Sequence, residues 1–266
     1  TIISDKKIKE FFILKKISKN ENLRLLDIKK EIKKIKGMRL DYSNDFKIKN
    51  LAMAIKAVKL CGLKEKLIYK SIRKVKDVAG RHELIKTYSN GVKVYVDYAH
   101  TPDALSKTLK SLIHFHGNNI SLVFGCGGDR DKKKRPMMAK IANSHCKKIY
   151  VTDDNPRNEN PKTIRDQILK HISKNKAFNI GNRKSAIKNA IQNAIPYEVI
   201  LVAGKGHEEK QIYKNKVKKI SDKKILKKIN LRNKLLTIKE SNFLQNNIIL
   251  NKILGKMKLN FKGLSI

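Results

Sequence analysis

The stretch VKVYVDYAHTPDALSKTLKSLIHFHGNNISLVFGCGG, residues 92–128, holds a strand, a helix, a second strand and a glycine-rich loop in succession. Residues 92–97 (VKVYVD) alternate apolar and polar side chains, the period of a strand. Residues 102–114 read as a helix, with Thr101 and Pro102 placed to cap and start it. Residues 120–125 (ISLVFG) form a short apolar run of the kind that is buried on both faces of a sheet. The same rhythm continues downstream. KIYVTD (148–153) and EVILVAG (198–204) read as strands, and residues 136–145, 161 onward and 184–194 as helices. Short apolar strands alternating with helices predict an α/β fold, a Rossmann-like, doubly wound, mostly parallel sheet. Ligands of such sheets sit at the carboxyl ends of the strands. There the sequence places DYAHTPD (97–103), GCGGDRDKKKRP (125–136), TDDNPRNENP (152–161) and GKGHEE (204–209).

Upstream, Asn90 and Gly91 lie between two alternating runs and predict a hairpin, since both accept a positive φ. Residues 46–60 carry Ile48, Leu51, Ala52, Ile55 and Val58 at helical spacing, with Gly62 as a stop, and residues 65–75 repeat the pattern. Residues 1–45 read as short strands with charged turns (IKEFFIL, NLRLLDI). The expected divisions are 1–90, 91–230 and a tail, 231–266.

The chain has 266 residues and a formal charge of +39. Lysine supplies 52 of its 62 basic residues and arginine only 10. Phosphate and base-edge recognition favours arginine, whose fork donates two hydrogen bonds at once. Lys, Asn and Ile share AT-rich codons, so genomic base composition displayed on a solvated surface is the preferred reading. The distribution agrees: residues 97–210, where the motifs lie, carry +10 and the remainder +29. A Lys-rich nucleic-acid-binding protein is the alternative from another class. It would show a steep salt dependence, but aromatics are sparse and no binding motif is present. No apolar run approaches the roughly 18 residues of a membrane span. Three cysteines (Cys61, Cys126, Cys146) suit neither a disulfide scaffold nor a zinc ribbon and fit a reducing, cytoplasmic setting.

The strand-end loops carry the candidate chemistry. Glycines in GCGGDRDKKKRP let backbone approach a ligand closely. Arg130 and Arg135 can bind carboxylate or phosphate, and Asp129 and Asp131 bracket Arg130 in a way that would hold it in one pose. Arg135 stands equally well as a solvated charge. In TDDNPRNENP, Pro156 stiffens the turn, so that Asp153, Asp154, Asn155 and Arg157 can face one small zwitterion; an Asx turn capping the next helix is the plainer option. In GKGHEE, Lys205 lies between two glycines, Glu208 could receive an ammonium, and His207 reads as structural. In DYAHTPD, Asp97 with Asp103 could pass for a metal pair, although helix capping suits Asp103 better. Cys146 beside His145 lacks an activating third group. No G-x-x-x-x-G-K-[ST] phosphate loop occurs.

In this order and spacing, NLAMAI (50–55), GRHE (80–83), DYAHTPD, GCGGDRDK, TDDNPR, GKGHE and the later ISD (220–222) resemble the C-terminal half of the Mur ligases, in the tripeptide-synthetase branch, from about residue 46 to 222. The resemblance implies a Mur ligase C-terminal domain preceded by the tail of a central ATPase domain. It implies ATP-dependent ligation in peptidoglycan synthesis: the carboxylate of UDP-MurNAc-L-Ala-D-Glu is phosphorylated, and the amine of meso-diaminopimelate attacks the acyl phosphate. ATP and Mg2+ are the implied cofactors, with positioned cations and domain closure offsetting charge and excluding water. An arginine in the DNPR loop goes with diaminopimelate rather than lysine, because diaminopimelate bears a second, distal carboxylate. Arg130 and Arg157 would grip that group, and Asp154, Asn155, Pro156 and Gly204 would shape its site. Glu208 would take the distal ammonium. Asn50, Arg81, Asp97 and His100 would line the nucleotide side. Lysine-adding ligases and folyl-polyglutamate synthetases are the nearer alternatives.

The family's phosphate loop, metal ligands and carbamylated lysine are expected upstream of Thr1, which reads as a cut end. Lys133 stands where the family often has glycine, and His82 where it often has Met. Residues 231–266 (ending LNKILGKMKLNFKGLSI) outrun a normal ending and resemble the opening of the next ligase in the pathway; an extra amphipathic helix is the alternative. The small molecules named are the expected partners, without nucleic acid or membrane, and the protein is expected to be monomeric.

Overall fold

The computed structural model describes residues 1–38, 45–75 and 78–231. The tail expected over 231–266 therefore lies, beyond Leu231, outside the described residues. The chain divides into two compact units, Thr1–Asp77 and Val78 onward.

In the first unit, β1 (Ile2–Ser4) is followed by α1 (Phe11–Asn20), β2 (Leu25–Asp27), α2 (Lys29–Lys36), α3 (Asp45–Leu60) and α4 (Glu65–Ile72). β1 and β2 pair in parallel. Ile28, Ile35, Ala52, Ile55, Ile68, Tyr69 and Ile72 form the core, which confirms the helical spacing read in α3. IKEFFIL is not a strand: Phe11 opens α1. A short apolar run does not distinguish strand from helix by period alone.

The second unit continues with β3 (Glu83–Thr87), β4 (Lys93–Asp97), α5 (Pro102–His116), β5 (Ile120–Phe124), α6 (Lys134–His145), β6 (Lys148–Val151), α7 (Pro161–Leu169), β7 (Ala177–Asn179), α8 (Arg183–Gln192), β8 (Val199–Ala203), β9 (Lys210–Tyr213), β10 (Lys216–Lys219) and α9 (Asp222–Lys228). Six strands lie in the order β3-β4-β8-β5-β6-β7, with only β3 antiparallel to its neighbour. The hairpin expected at Asn90 and Gly91 joins β3 to β4, with Gly91 at φ +80°. It puts β3 in the same sheet as β4, so this unit begins at Val78 and not at residue 91. β9 and β10 form a separate hairpin that the sequence reading missed. Every residue of β10 is exposed, so no apolar alternation marks it.

Successive residues of the central strands serve opposite cores. Ile120, Leu122, Phe124, Leu201 and Ala203 pack with α5, α6 and α7. Val94, Val96, Val123, Ile200 and Val202 pack with α8 and α9. This two-sided burial is why the strands read as apolar runs. Thr101 Oγ1 accepts the Ala104 N–H at 3.3 Å and caps α5 as expected. Thr101→Ala should lower stability by about 1 kcal/mol, measurable as an earlier urea midpoint with an unchanged m-value.

Candidate functional site

β4, β8, β5 and β6 are adjacent, and DYAH, GKGHE, GCGG and DDNPR leave their carboxyl ends. The four loops are therefore neighbours by topology, although residues up to 110 positions apart meet there.

The GCGG and DDNPR loops lie backbone against backbone. Gly128 N–H donates to Asn155 O at 2.9 Å, and a Cβ on Gly128 would stand 1.9 Å from Pro156 O. The close approach that these glycines permit is thus to the neighbouring loop. Arg157, at φ +52°, turns its guanidinium back over this seam, with Nη1 donating to Gly128 O at 2.9 Å. Its own N–H donates to Ile212 O of β9 at 3.0 Å, and its carbonyl accepts the N–H of Lys214, the residue after that strand, at 2.6 Å. Arg130 flanks the same glycine pair: a Cβ on Gly127 would lie 2.8 Å from Arg157 Nη1 and 3.7 Å from Arg130 Cγ. The bracketing aspartates do not hold Arg130. Asp129 accepts from Asn158, Asp131 from Lys133 N–H, and the exposed Arg130 donates to the Asp129 carbonyl. Short acids in a turn find adjacent amides more readily than an adjacent long side chain.

Asn155 joins DDNPR to GKGHE. Its Oδ1 accepts from Lys205 Nζ at 3.2 Å and Ile212 N–H at 3.1 Å, and its Nδ2 donates to Glu208 Oε2 at 3.2 Å. Lys205, 1% exposed, also donates to Glu208 Oε2 at 3.0 Å. Burial pushes the Glu208 carboxyl up, but the bonds from Lys205, Asn155 and Tyr98 outweigh it and hold the group below the usual carboxylate range. Gly204 is needed twice over. Its φ is +109°, and a Cβ would stand 2.8 Å from Asp154 Oδ2. Pro156 is buried beneath the turn, as a stiffening element should be.

Around DYAH, Arg81 and His100 are exposed and both face the Tyr98 ring. Asp97 is used internally: Oδ2 accepts His82 N–H at 2.5 Å and Oδ1 accepts Ala99 N–H at 2.7 Å. Burial outweighs these bonds and lifts its carboxyl above the ordinary value. Asp103 pairs with Lys107 at 2.7 Å on the surface of α5, so the two acids make no metal pair. Asn50 is exposed on α3 of the first unit.

Arg135 is turned inward, away from the surface of the loop. It is 0% exposed and grips Glu159 with both amino groups, at 3.0 and 2.8 Å. Asp153 is likewise structural, held by Arg165 and by Tyr213 Oη at 2.9 Å. Burial raises the Cys126 and Cys146 thiols to about 12, so neither is a nucleophile. The sequence reading missed Tyr98 and passed over Lys205. The signal for Lys205 was a lone lysine between glycines directly after a fully apolar strand, where burial is forced on it. A cleft of about 690 Å³ elsewhere in this unit, bordered by α8, β10 and α9, includes none of the site residues.

Residues 80–206 match the family model described as Mur ligase, glutamate ligase domain. The UDP-N-acetylmuramoyl-L-alanyl-D-glutamate–2,6-diaminopimelate ligase of Rickettsia typhi is 43% identical over 185 residues, covering 69% of this chain and 37% of that protein. The enzyme of the same name from Agrobacterium fabrum is 42% identical over 170 residues, covering 64% and 34%. A solved diaminopimelate ligase structure superposes with a TM-score of 0.54 at 33% identity, over 69% of this chain and 38% of that one. A folylpolyglutamate synthase from Thermotoga maritima shares the fold, with a TM-score of 0.52 at 20% identity, over 76% and 50%. The chain thus spans less than two fifths of the length of the diaminopimelate ligases it matches.

Proposed function

Residues 80–206 are a Mur ligase C-terminal domain, and from this premise we propose that the chain supplies the acceptor-amino-acid half of an ATP-dependent ligase that adds meso-diaminopimelate to UDP-MurNAc-L-Ala-D-Glu. Residues 1–77 are then the end of the central ATP-binding domain. The reaction joins an activated carboxylate, an acyl phosphate formed from ATP, to the amine of the incoming diamino acid, with phosphate leaving. This chain's task is to bind and orient the amine-bearing partner, since held reactants lose the entropic barrier of meeting.

The observation that carries the reading is the union of three strand-end loops through Asn155, Arg157 and Glu208. Arg157 lies over the GCGG seam, and Asn155 ties the DNPR turn to Glu208 and Lys205. This sets a guanidinium and a carboxylate on one braced frame, the pairing that a zwitterionic end requires. Arg130 and Arg157 hold the distal carboxylate, with Asp154, Asn155, Pro156 and Gly204 shaping its seat, and Glu208 receives the distal ammonium. Arg81 and His100 attend the nucleotide, while Asp97 positions the loop that carries them. Mg2+ would offset phosphate charge in such a ligation. Among the described residues no group of three His, Cys, Asp or Glu side chains could hold a metal ion. Work on a diffusible, water-soluble precursor agrees with a cytoplasmic setting.

Isothermal titration of the full-length enzyme tests the reading. Arg157→Ala is expected to weaken diaminopimelate binding by about 10- to 100-fold, the worth of a hydrogen-bonded charge contact. Lysine, which lacks the distal carboxylate, should bind the wild type weakly and be insensitive to the change. Unaltered diaminopimelate affinity in Arg157→Ala overturns the assignment.

A further inference from the structure

A carboxylate that is to receive an ammonium must be held in one pose and still keep an open acceptor position. Glu208 is arranged this way. Lys205 and Asn155 both donate to Oε2, and among the described residues Tyr98 Oη is the one donor to Oε1, at 3.2 Å. A carboxylate oxygen has two lone-pair directions, so Oε1 keeps one. The side chain is 33% exposed, so a ligand can reach it.

Tyr98 reaches Glu208 from the DYAH loop, and its ring meets the other half of the site. The Arg81 guanidinium lies 4.4 Å from the ring centroid, His100 packs edge-on at 4.6 Å, and His207 is 5.4 Å away. A guanidinium over a phenol face is attracted by the ring quadrupole and fixes the ring's orientation. One side chain therefore touches both the residues assigned to the nucleotide and the residue assigned to the ammonium.

We infer that Tyr98 is a positioning residue: it aims Glu208 at the acceptor's ammonium through its hydroxyl and links that aim to Arg81 through its ring. The inference rests on the function proposed above for Glu208 and Arg81. Nucleotide contact that moves or fixes Arg81 acts on the ring, and the hydroxyl passes the change to Glu208.

The test uses the full-length enzyme with Tyr98→Phe, which removes only the hydroxyl. KM for diaminopimelate should rise about tenfold, the scale of one hydrogen bond to a charged group, while kcat and the KM for ATP hold. Arg81→Ala should raise the diaminopimelate KM in the wild-type background but add nothing further in Tyr98→Phe. That non-additivity is the signature of a link, as opposed to two separate structural losses. The Glu208 titration, followed by carboxyl 13C resonance in the same proteins, should move upward in Tyr98→Phe. An unchanged diaminopimelate KM, equal rises in both KM values, or additive Arg81 and Tyr98 effects overturn the inference. If the wild type accepts no diaminopimelate, the functional reading falls by itself. The Glu208 titration then decides about Tyr98: a shift in Tyr98→Phe sustains its hold on Glu208, and no shift overturns it.

Discussion

Asp222→Ala is expected to destabilise the second unit by about 3–5 kcal/mol, the cost of leaving a buried charge without its partner. The side chains of Asp222 and Arg183 are both 0% exposed and meet in a fork, Nε to Oδ1 at 2.8 Å and Nη2 to Oδ2 at 2.7 Å. Burial opposes the charge on Arg183, and Asp222 outweighs it, holding the guanidinium above its ordinary value. Arg183 begins α8, where a positive charge opposes the helix dipole, so its charge depends chiefly on Asp222. The same Nη2 also donates to Ala203 O at 3.0 Å, the last residue of β8 before Gly204. Loss of Asp222 should therefore loosen the GKGHE loop as well as α9. Urea denaturation followed by circular dichroism measures the change. An Arg183→Met, Asp222→Leu double variant should recover much of the loss, because an apolar pair of similar volume leaves no stranded charge. An Asp222→Ala cost below about 1 kcal/mol would place the pair with ordinary surface bridges.

Arg135→Met should cost about 3 kcal/mol, at the lower end of the same range, because Glu159 is 16% exposed and water can partly replace its partner. Arg135 joins two loops. Besides Glu159 it donates to Gln167 Oε1 at 2.7 Å and to Gly127 O at 3.2 Å, while Glu159 accepts the Asp129 N–H at 2.7 Å. The pair thus clamps GCGGDR to DDNPRNE beneath the proposed carboxylate seat. The hydrogen bond from Arg135 is the largest cause holding the Glu159 carboxyl below its ordinary value. A carboxyl lowered on folding contributes stability above its unfolded pKa, near 4.3, and loses it as pH falls through the folded value. The wild type should therefore weaken on acidification below about pH 4, and Arg135→Met should show a shallower acid-side decline. Chemical denaturation at a series of pH values reads both effects.

Arg130 and Arg135 show where sequence reading stops. They share one loop and one residue type, yet Arg130 is exposed beside Gly127 and Arg135 is fully buried. One signal was available: Arg135 falls in helical phase with Met138, Ala139 and Ala142, the buried face of α6. The identity of its partner, Glu159, was not available, because a contact between separate elements has no local period. Asp97 and Asp103 make the same point. Both sit in DYAHTPD, but one is closed off by backbone amides and the other pairs with Lys107 at the surface.

The sequence by itself determined the parallel sheet and the placing of its loops, because strand burial on both faces and helix spacing are written in local periodicity. It also determined the chemical types on offer at the strand ends: three arginines (Arg130, Arg135 and Arg157), the Glu208 carboxylate and close-packing glycines. Only the tertiary structure decided which of those charges stay exposed and which brace one another. β8 inserts between β4 and β5, and that non-sequential neighbour brings Lys205 and Glu208 beside Asn155 and Tyr98. The fate of a charge turns on the dielectric and the partners around it, and these come from chain segments far away in sequence.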